Sequence, residues 1–256
     1  MSFLRITDDV FVSTSGRMAT TSTLFVADGR GVLVDPAWLP HELEALADDL
    51  DARGVRVTAG FSTHPHHDHL LWHPRYGDAP RWATPRGAAT AREHAAELLQ
   101  HLGAGYPDDV VALFGRVAPL DGSAVPQPFG ADGPSEDFEV IAHDGHAPGH
   151  AALWAPGRRV LVVGDMLSDV ELPLPFWPDD LPAYLDGLDR LAPYVSRASM
   201  LVPGHGSPSF TPMERLDADR RYLDDVMAGR TPSDQRIANP GMQEEYEHLV
   251  RLAAES

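Results

Sequence analysis

The segment Thr63-His-Pro-His-His-Asp-His69 is the strongest signal for metal binding in the chain, with four histidines and one aspartate in seven residues. It directly follows an apolar stretch typical of a strand, so it lies where loops at strand ends build sites. His64 and His66 are two residues apart, and in extended backbone their side chains point the same way and can chelate one ion. Asp68 and His69 come just beyond and are placed for a second ion nearby.

Further candidate ligands follow later apolar stretches of the chain. The segment His146-Ala-Pro-Gly-His150 comes after one such stretch, Asp165 ends another, and His205 follows a third. Taken singly, a histidine or aspartate at the end of a strand is typical of a turn. One candidate ligand at each of four successive strand ends is difficult to attribute to turn chemistry, so the pattern indicates a metal site assembled from several loops.

Composition narrows the chemistry that these residues can perform. The chain has 256 residues and a formal net charge of −18, and its 20 basic residues are all arginine, without any lysine or cysteine. The lack of cysteine excludes disulfides, thiol nucleophiles and cysteine-ligated zinc, and the lack of lysine excludes Schiff-base chemistry and the P-loop. A strongly acidic chain repels phosphate backbones, so we expect no nucleic-acid partner. Carboxylate, imidazole, hydroxyl and bound metal remain.

The N-terminus and the lengths of the apolar runs indicate where the protein is located and which partners to expect. The N-terminus lacks a basic segment followed by an apolar one, and no apolar run approaches the ~18 residues needed to span a bilayer. We therefore expect a cytoplasmic protein with a small-molecule substrate and no membrane partner. The oligomeric state stays open, because the apolar faces of the C-terminal helices could pack on the body or pair subunits.

Short strands and amphipathic helices alternate along the chain and must position these loops. Strands are predicted over residues 10–12, 23–26, 31–35, 55–61, 138–143, 151–155, 159–164 and 199–202. Helices are predicted over residues 40–53, 84–103, 179–195, 212–228 and 242–254. Internal repeats and linkers are lacking, which favours one domain of two packed sheets with outer helices.

Two regions near the motifs are expected to shape access to the site. Residues 103–134 are rich in proline and glycine and have no regular pattern, which predicts a lid inserted in the domain. Aromatic and imidazole side chains flank the motifs and are candidates for the wall of a substrate pocket: Trp72, His73, Phe176 and Trp177.

The set of motifs resembles the metallo-β-lactamase-fold superfamily of metallohydrolases over most of the chain. The motifs that carry the resemblance occur in the order typical of the family: Val34-Asp35-Pro36, the cluster at 64–69, His150, Asp165 and His205. The resemblance implies an α/β fold, a four-layer αββα sandwich of the metallo-β-lactamase type, with the metal site at one edge between the sheets. Residues 1–256 then form a single domain that ends in helices over 211–256.

By resemblance, the ligands divide between two divalent metal ions. The first ion is assigned His64, His66 and His150, and the second ion Asp68, His69 and His205. Asp165 bridges the ions, and the mixed imidazole and carboxylate set makes Zn²⁺ the default, with Mn²⁺ or iron as alternatives. Asp35 accepts a hydrogen bond from a ligand histidine and fixes its tautomer, and His146 is a turn residue or a support of the same kind.

The resemblance also implies the reaction. Two ions about 3.5–4 Å apart share a bridging hydroxide, lower its pKa to near 7 and direct it at a carbonyl or phosphorus centre. This chemistry needs no protein nucleophile, in keeping with the lack of cysteine and lysine. Asp165 holds the ions, and Asp68 can carry protons on its free oxygen. We predict a dinuclear hydrolase of a small carbonyl substrate, which is an ester, a thioester or a lactone.

This chain departs from the motifs of several subfamilies, and each departure bears on whether it catalyses the reaction of that subfamily. β-Lactamases of this fold need a cysteine ligand or lack the bridging aspartate, and acyl-homoserine lactonases have a tyrosine where this chain has Ser168. Gly164-Asp165-Met-Leu167 is similar to glyoxalase II, but the basic glutathione-binding segment of that family is missing. A phosphodiesterase, a β-lactam-type hydrolase and an iron-dependent redox enzyme of this fold stay open as alternatives.

Overall fold

The structure, a computed structural model, describes residues 2–176 and 178–255 of the chain. Within them, eleven strands form two β-sheets that pack face to face, and helices cover the outer face of each sheet. This α/β arrangement, a four-layer αββα sandwich, confirms the fold class expected from the sequence.

The first sheet contains seven strands whose spatial order follows the chain. They are Leu4–Arg5 (β1), Val10–Thr14 (β2), Thr21–Ala27 (β3), Arg30–Val34 (β4), Arg56–Phe61 (β5), Arg81–Ala83 (β6) and Ala118–Pro119 (β7). Strands β1 to β4 pair in antiparallel fashion, whereas β4 to β7 run parallel. Val34 in β4 is the register partner of Phe61 in β5, so the loops that follow these two parallel strands start side by side.

The second sheet contains four strands. They are Glu139–Ala142 (β8), Ala151–Ala155 (β9), Val160–Val162 (β10) and Met200–Val202 (β11), in the spatial order β11-β10-β9-β8. Strands β10 and β11 are parallel, and Val162 pairs with Val202. The loops after these two strands, which carry Asp165 and His205, therefore leave the sheet at the same edge.

Seven α-helices lie outside the sheets within the described residues. They are Pro40–Arg53 (α1), Pro85–Glu93 (α2), Ala95–Leu102 (α3), Asp108–Leu113 (α4), Leu181–Val195 (α5), Pro212–Met227 (α6) and Met242–Glu255 (α7). The single helix predicted over residues 84–103 is divided at His94, whose φ of −105° and ψ of 14° interrupt the helical path. None of these helices is long and apolar enough to cross a lipid bilayer.

Apolar side chains fill the spaces between the four layers. In β10, Val160 and Val162 face the other sheet, while Leu161 faces helices α5 to α7, as the alternation of a strand requires. Between the sheets, Phe25 meets Phe138 edge to face with ring centroids 5.0 Å apart. These close-packed layers hold the strand ends firmly, and the loops of the site start from them.

Residues 103–134, which their proline and glycine content predicts to be a lid, pack in part into the body of the domain. Leu120, Val125 and Phe129 are buried between the two sheets, and residues 118–119 form β7 at the edge of the first sheet. An irregular segment that buries apolar side chains in this way is held by the hydrophobic effect, although its backbone lacks a regular pattern.

The substitution Phe129→Ala tests this placement. Phe129 is fully buried, and its ring centroid lies 5.8 Å from that of Phe138, so truncation leaves a cavity between the sheets. We expect the free energy of unfolding, measured by urea denaturation, to fall by about 3–5 kcal/mol. Val111→Ala is the matched control in the same segment, because Val111 is 38% exposed, and it should cost about 0.5 kcal/mol or less. Equally small effects of both substitutions would favour a lid after all.

Candidate metal centre

Five loops bring the candidate ligands to one edge of the sandwich. The loop after β5 supplies residues 63–69, and the loop between β8 and β9 supplies His146. Asp165 and His205 come from the loops after β10 and β11, and Asp35 comes from the loop after β4. The convergence follows from the parallel pairing of β4 with β5 and of β10 with β11, because parallel strands end at the same edge.

Three imidazoles and one carboxylate form a first cluster. His64 Nε2 lies 3.0 Å from His66 Nδ1, which in turn lies 3.2 Å from His146 Nε2. Asp165 Oδ2 lies 3.2 Å from His64 Nε2 and 3.5 Å from His146 Nε2. Each of the four side chains offers a ligand atom within 4.8 Å of the other three, a spacing that suits one metal ion between them.

A second cluster consists of Asp68, His69 and His205. His205 Nε2 lies 3.3 Å from Asp68 Oδ2, and His69 Nε2 lies 3.5 Å from the same oxygen. Asp165 reaches this cluster as well, because its Oδ1 lies 3.2 Å from His69 Nε2 and its Oδ2 lies 3.3 Å from His205 Nε2. The carboxylate of Asp165 is therefore shared by the two clusters.

Asp35 ties the loop after β5 to the end of β4. Its Oδ2 accepts hydrogen bonds from His69 Nδ1 at 3.0 Å and from Thr63 Oγ1 at 2.6 Å, and its Oδ1 accepts one from the Thr63 backbone N–H at 2.9 Å. With Nδ1 of His69 as the donor to Asp35, Nε2 faces the second cluster and is the atom that can bind a metal ion once it is deprotonated. Asp35 thus makes the contact with a histidine of the cluster that the sequence led us to expect.

Backbone carbonyls orient two further rings in the same way. His146 Nδ1 donates a hydrogen bond to the Leu174 carbonyl at 2.8 Å, and His205 Nδ1 donates one to the Met18 carbonyl at 2.9 Å. In both rings Nε2 therefore faces the clusters, and it is the atom that can bind a metal ion once it carries no proton.

His150 belongs to neither cluster, which corrects the ligand set expected from the sequence. Its Nε2 accepts a hydrogen bond from the backbone N–H of Asp165 at 3.1 Å, and its Nδ1 lies 3.3 Å from His143 Nε2. The His143 backbone N–H donates to the His150 carbonyl at 2.8 Å, so these two residues close the base of their loop. His146 lies at the tip of that loop and reaches the first cluster instead. The sequence reasoning gave it only a supporting role.

Phe176 is the one described residue of the predicted pocket wall that contacts the clusters. Its ring stacks on His146, with centroids 5.8 Å apart and planes at 21°, and meets His66 edge to face at 5.2 Å. The side chain is 50% exposed, so its outer face is accessible from solvent. Trp177, which was predicted to stand beside it, lies outside the described residues.

Trp72 and His73 lie away from the clusters, and their assignment to a pocket wall is corrected. Trp72 is buried with α1 on the outer face of the first sheet, and its Nε1 donates to the Gly77 carbonyl at 3.2 Å. His73 precedes a short 3₁₀ helix over Pro74–Tyr76, and its Nε2 lies 3.0 Å from a carboxylate oxygen of Glu44. The chain turns away from the site directly after the histidine cluster, so closeness in sequence misplaced both side chains.

Charges in the second cluster stabilise one another. Burial alone would raise the pKa of Asp68 and Asp165, but the imidazoles of His69 and His205 hold both values well below the usual range. Burial alone would lower the pKa of those two rings, but the surrounding carboxylates raise both well above the usual range. A metal ion that binds here must displace these protons, and it replaces their charge with its own.

In the first cluster, by contrast, the pKa values of His66 and His146 are lowered. Burial and the neighbouring rings lower the pKa of His66 well below its usual range, and burial lowers that of His146 to about 3. Both rings are therefore neutral at physiological pH, which is the form that binds a metal ion.

The donor set fits two divalent cations. His69 Nε2 and Asp165 Oδ1 are buried and, within the described part of the chain, make no hydrogen bond of acceptable geometry. Buried polar atoms normally have partners, so atoms that converge without them indicate a group that the side chains themselves do not supply. Imidazole nitrogens and carboxylate oxygens in mixture are ligands for zinc, manganese or iron.

Two residues near the second cluster carry no sequence signal that could have revealed them. Glu171 comes within ligand distance of Asp165 and His205, and its Oε1 lies 3.8 Å from His205 Nδ1. Burial raises the pKa of Glu171 to about 7. Arg236, which is 7% exposed, donates to the carbonyls of Ser168 at 2.9 Å and Glu171 at 3.0 Å. The C-terminal region thus holds the loop that carries Asp165.

Comparison with known proteins places this geometry in a family. A family model described as the metallo-beta-lactamase superfamily matches residues 15–205. No curated protein sequence matches the chain significantly.

Solved structures share the fold at low sequence identity. A metallo-beta-lactamase family protein from Thermus thermophilus, TTHA1429, is 22% identical, with 98% of this chain and 95% of that chain covered and a TM-score of 0.66. A beta-lactamase domain protein from Burkholderia ambifaria is 21% identical, with 98% and 86% covered and a TM-score of 0.60. TTHA1623, solved in a di-iron-bound form, is 26% identical, with 80% and 96% covered and a TM-score of 0.60.

The pH dependence of stability tests the burial of the loop base. Burial lowers the pKa of His143 to about 4, whereas a histidine in the unfolded chain titrates near 6.5. Between these values the unfolded chain binds a proton that the folded chain does not, so stability is lost as the pH falls from about 6.5 toward 4. We expect His143→Gln, stripped of metal by chelation, to show a slope about 1 kcal/mol per pH unit shallower than the parent chain in urea unfolding. Parallel slopes would show that His143 is not buried.

Proposed function

The chain belongs to the metallo-β-lactamase superfamily, and from that premise we propose that it is a dinuclear metal-dependent hydrolase of a small carbonyl substrate. The substrate class comprises esters, thioesters and lactones. The observation that carries the proposal is the position of Asp165, whose two oxygens lie within 3.5 Å of histidines from both clusters.

The proposed ligands follow the distances rather than the sequence assignment. The first ion takes His64, His66 and His146, and the second takes Asp68, His69 and His205. Asp165 is the proposed bridge, and His150 supports it through the hydrogen bond from the Asp165 backbone N–H. Two divalent ions held in this way supply Lewis-acid polarisation of a carbonyl and activation of a water molecule near neutral pH.

The protein itself contributes orientation, exclusion of bulk water and proton transfer. Asp35 and the Leu174 carbonyl keep two ligand rings in a single tautomer, so no ring has to reorient when substrate binds. Asp68 is 4% exposed, and its Oδ2 already lies 3.3 Å from His205 Nε2. We assign its other oxygen to accept a proton from the attacking water and return it to the leaving group.

Charge favours a small carbonyl compound over a phosphodiester. The net charge of −18 repels polyanions, and a phosphodiesterase of nucleic acids needs a basic surface that a chain without lysine is poorly equipped to form. A small molecule without a large negative charge avoids this repulsion. This reasoning also disfavours anionic β-lactams, although proteins that hydrolyse them share the fold.

Zinc is the proposed metal, with iron as the second candidate. The mixed imidazole and carboxylate ligands suit both. Iron is favoured by one specific observation, the di-iron-bound form of TTHA1623, which is 26% identical to this chain. Metal analysis of the protein as purified separates the two, and iron together with oxygen consumption would indicate the redox alternative.

A pair of matched substitutions tests the ligand assignment. His146→Gln removes a proposed ligand, so we expect bound zinc to fall from two ions to one per chain and turnover of a reactive ester to fall by about 100-fold or more. His150→Gln keeps a hydrogen-bond acceptor for the Asp165 N–H, so we expect two ions at saturating zinc and affinity reduced by about tenfold. Elemental analysis by mass spectrometry and steady-state kinetics give both readouts.

The reverse pattern would overturn the assignment. Two ions in His146→Gln and one in His150→Gln would restore the ligand set inferred from the sequence. One ion per chain in the parent protein at saturating zinc would contradict the dinuclear proposal itself.

A further inference from the structure

A cavity of about 250 Å³ opens beside the first cluster, and the proposed ligand set does not account for it. His66 lines both the cavity and the cluster, and Phe176, which contacts His66 and His146, forms part of the wall. A group bound in this cavity therefore lies next to the first proposed ion, where the reacting carbonyl would be.

The wall of the cavity is mainly apolar. Helix α3 and three loops supply its apolar members, which are Pro65, Leu98, Ala147, Pro148 and Phe176. The polar members come from α2, α3 and the residue between them, and they are half-buried or exposed: Thr90, His94, Glu97 and His101. Leu98 is 9% exposed and is anchored in the apolar cluster of α1 to α4.

Fixed positive charge is missing from this wall. Glu97 is the one acidic residue that lines the cavity, its Oε2 lies 3.2 Å from His94 Nδ1, and no arginine is among the described lining residues. Arg86 pairs with Asp144, and Arg17 lies over the ring of Trp38. A carboxylate at the far end of an acyl chain would therefore lose hydration in this cavity without gaining a fixed positive charge from its wall.

We propose that this cavity binds the acyl side group of the substrate and selects short, uncharged, apolar groups against groups that carry a carboxylate. The proposal rests on the hydrolase function proposed above and names the part of the substrate that this chain recognises. The volume of about 250 Å³ is below the ~300–1,000 Å³ of sites for drug-sized ligands. At roughly 30 Å³ per carbon-sized group, it holds an acyl chain of up to about eight carbons. Each buried methylene then raises kcat/KM by about fourfold until the cavity is full.

A series of 4-nitrophenyl esters provides the direct test with the zinc-loaded protein. We expect kcat/KM to rise from acetate to butyrate to pentanoate by about fourfold per methylene. The hemisuccinate ester has nearly the length of the pentanoate but ends in a carboxylate, and we expect it to react at least about tenfold more slowly. A flat series, or a preference for the hemisuccinate, would overturn the proposal.

Substitutions in the cavity wall distinguish an effect on binding of the acyl group from an effect on the metal centre. Leu98→Trp fills the cavity, so it should abolish the gain in kcat/KM from the acetate to the pentanoate ester. Thr90→Trp narrows the same cavity from α2, and its result stands in for Leu98→Trp if that variant does not fold. Gln100→Trp is the matched control, because Gln100 is exposed on α3 and does not line the cavity. Equal loss for all esters in both wall variants would contradict the assignment.

A binding measurement tests the cavity assignment independently of the proposed hydrolase activity. Hexanamide is uncharged and resists hydrolysis, and we expect ligand-observed NMR to detect its binding to the parent chain and to Gln100→Trp but not to Leu98→Trp. Glutaramate, which has nearly the length of hexanamide but ends in a carboxylate, should not compete. If the zinc-loaded protein hydrolyses no ester, thioester or lactone while hexanamide binds in this pattern, the hydrolase function fails and the cavity assignment stands. If hexanamide does not bind, the cavity assignment fails whatever the activity.

Discussion

The buried carboxylate of Asp165, held between two groups of imidazoles, is the interaction on which the rest of the site depends. Burial of a carboxylate is costly unless opposite charge and hydrogen bonds compensate for the lost water. Here the compensation comes from His64, His69, His146 and His205, which approach it from two sides. Two metal ions bound between these groups would supply the same compensation more strongly, and this is why the geometry favours a dinuclear centre.

The surroundings of Asp165 leave it little freedom. A Cβ at position 204 would lie 2.0 Å from Asp165 Oδ1, so the close approach of the two loops requires glycine there. His150 fixes the backbone N–H of Asp165, and Arg236 holds the carbonyls three and six residues further on. Arg236 lies beyond residue 205, where the match to the superfamily ends. The C-terminal region therefore supports the loop of Asp165 from outside the segment that the family model matches.

Much of the fold and of the centre could be predicted from the sequence, because both depend on short-range patterns. Apolar runs mark the central strands, and a histidine or aspartate directly after such a run must emerge at the end of a sheet. Spacing could not decide between His146 and His150, since both lie in one loop and only the pairing of His143 with His150 reveals which is at the base. Arg236 reaches the site from a distant segment through tertiary packing, and Glu171, six residues after Asp165, reaches it through the path of their shared loop. No local sequence pattern indicates either contact.

Outside the centre, residues 103–134 and Trp72 lie in positions that their sequence context does not indicate, and the causes are related. The proline and glycine content of residues 103–134 indicates an irregular backbone. The burial of Leu120, Val125 and Phe129 determines where the segment lies. Trp72 follows the histidine cluster in sequence but lies on the opposite face of the first sheet. In both cases the position of a side chain is set by the layer against which it packs, and sequence neighbours of a motif need not share its layer.

Anomalous diffraction at the zinc absorption edge, from crystals grown with zinc, tests the central claim most directly. We expect two peaks about 3.5–4 Å apart, both in contact with the Asp165 carboxylate, with His146 Nε2 bound to one ion and His150 bound to neither. A single peak, or an ion bound by His150 in place of His146, would contradict it.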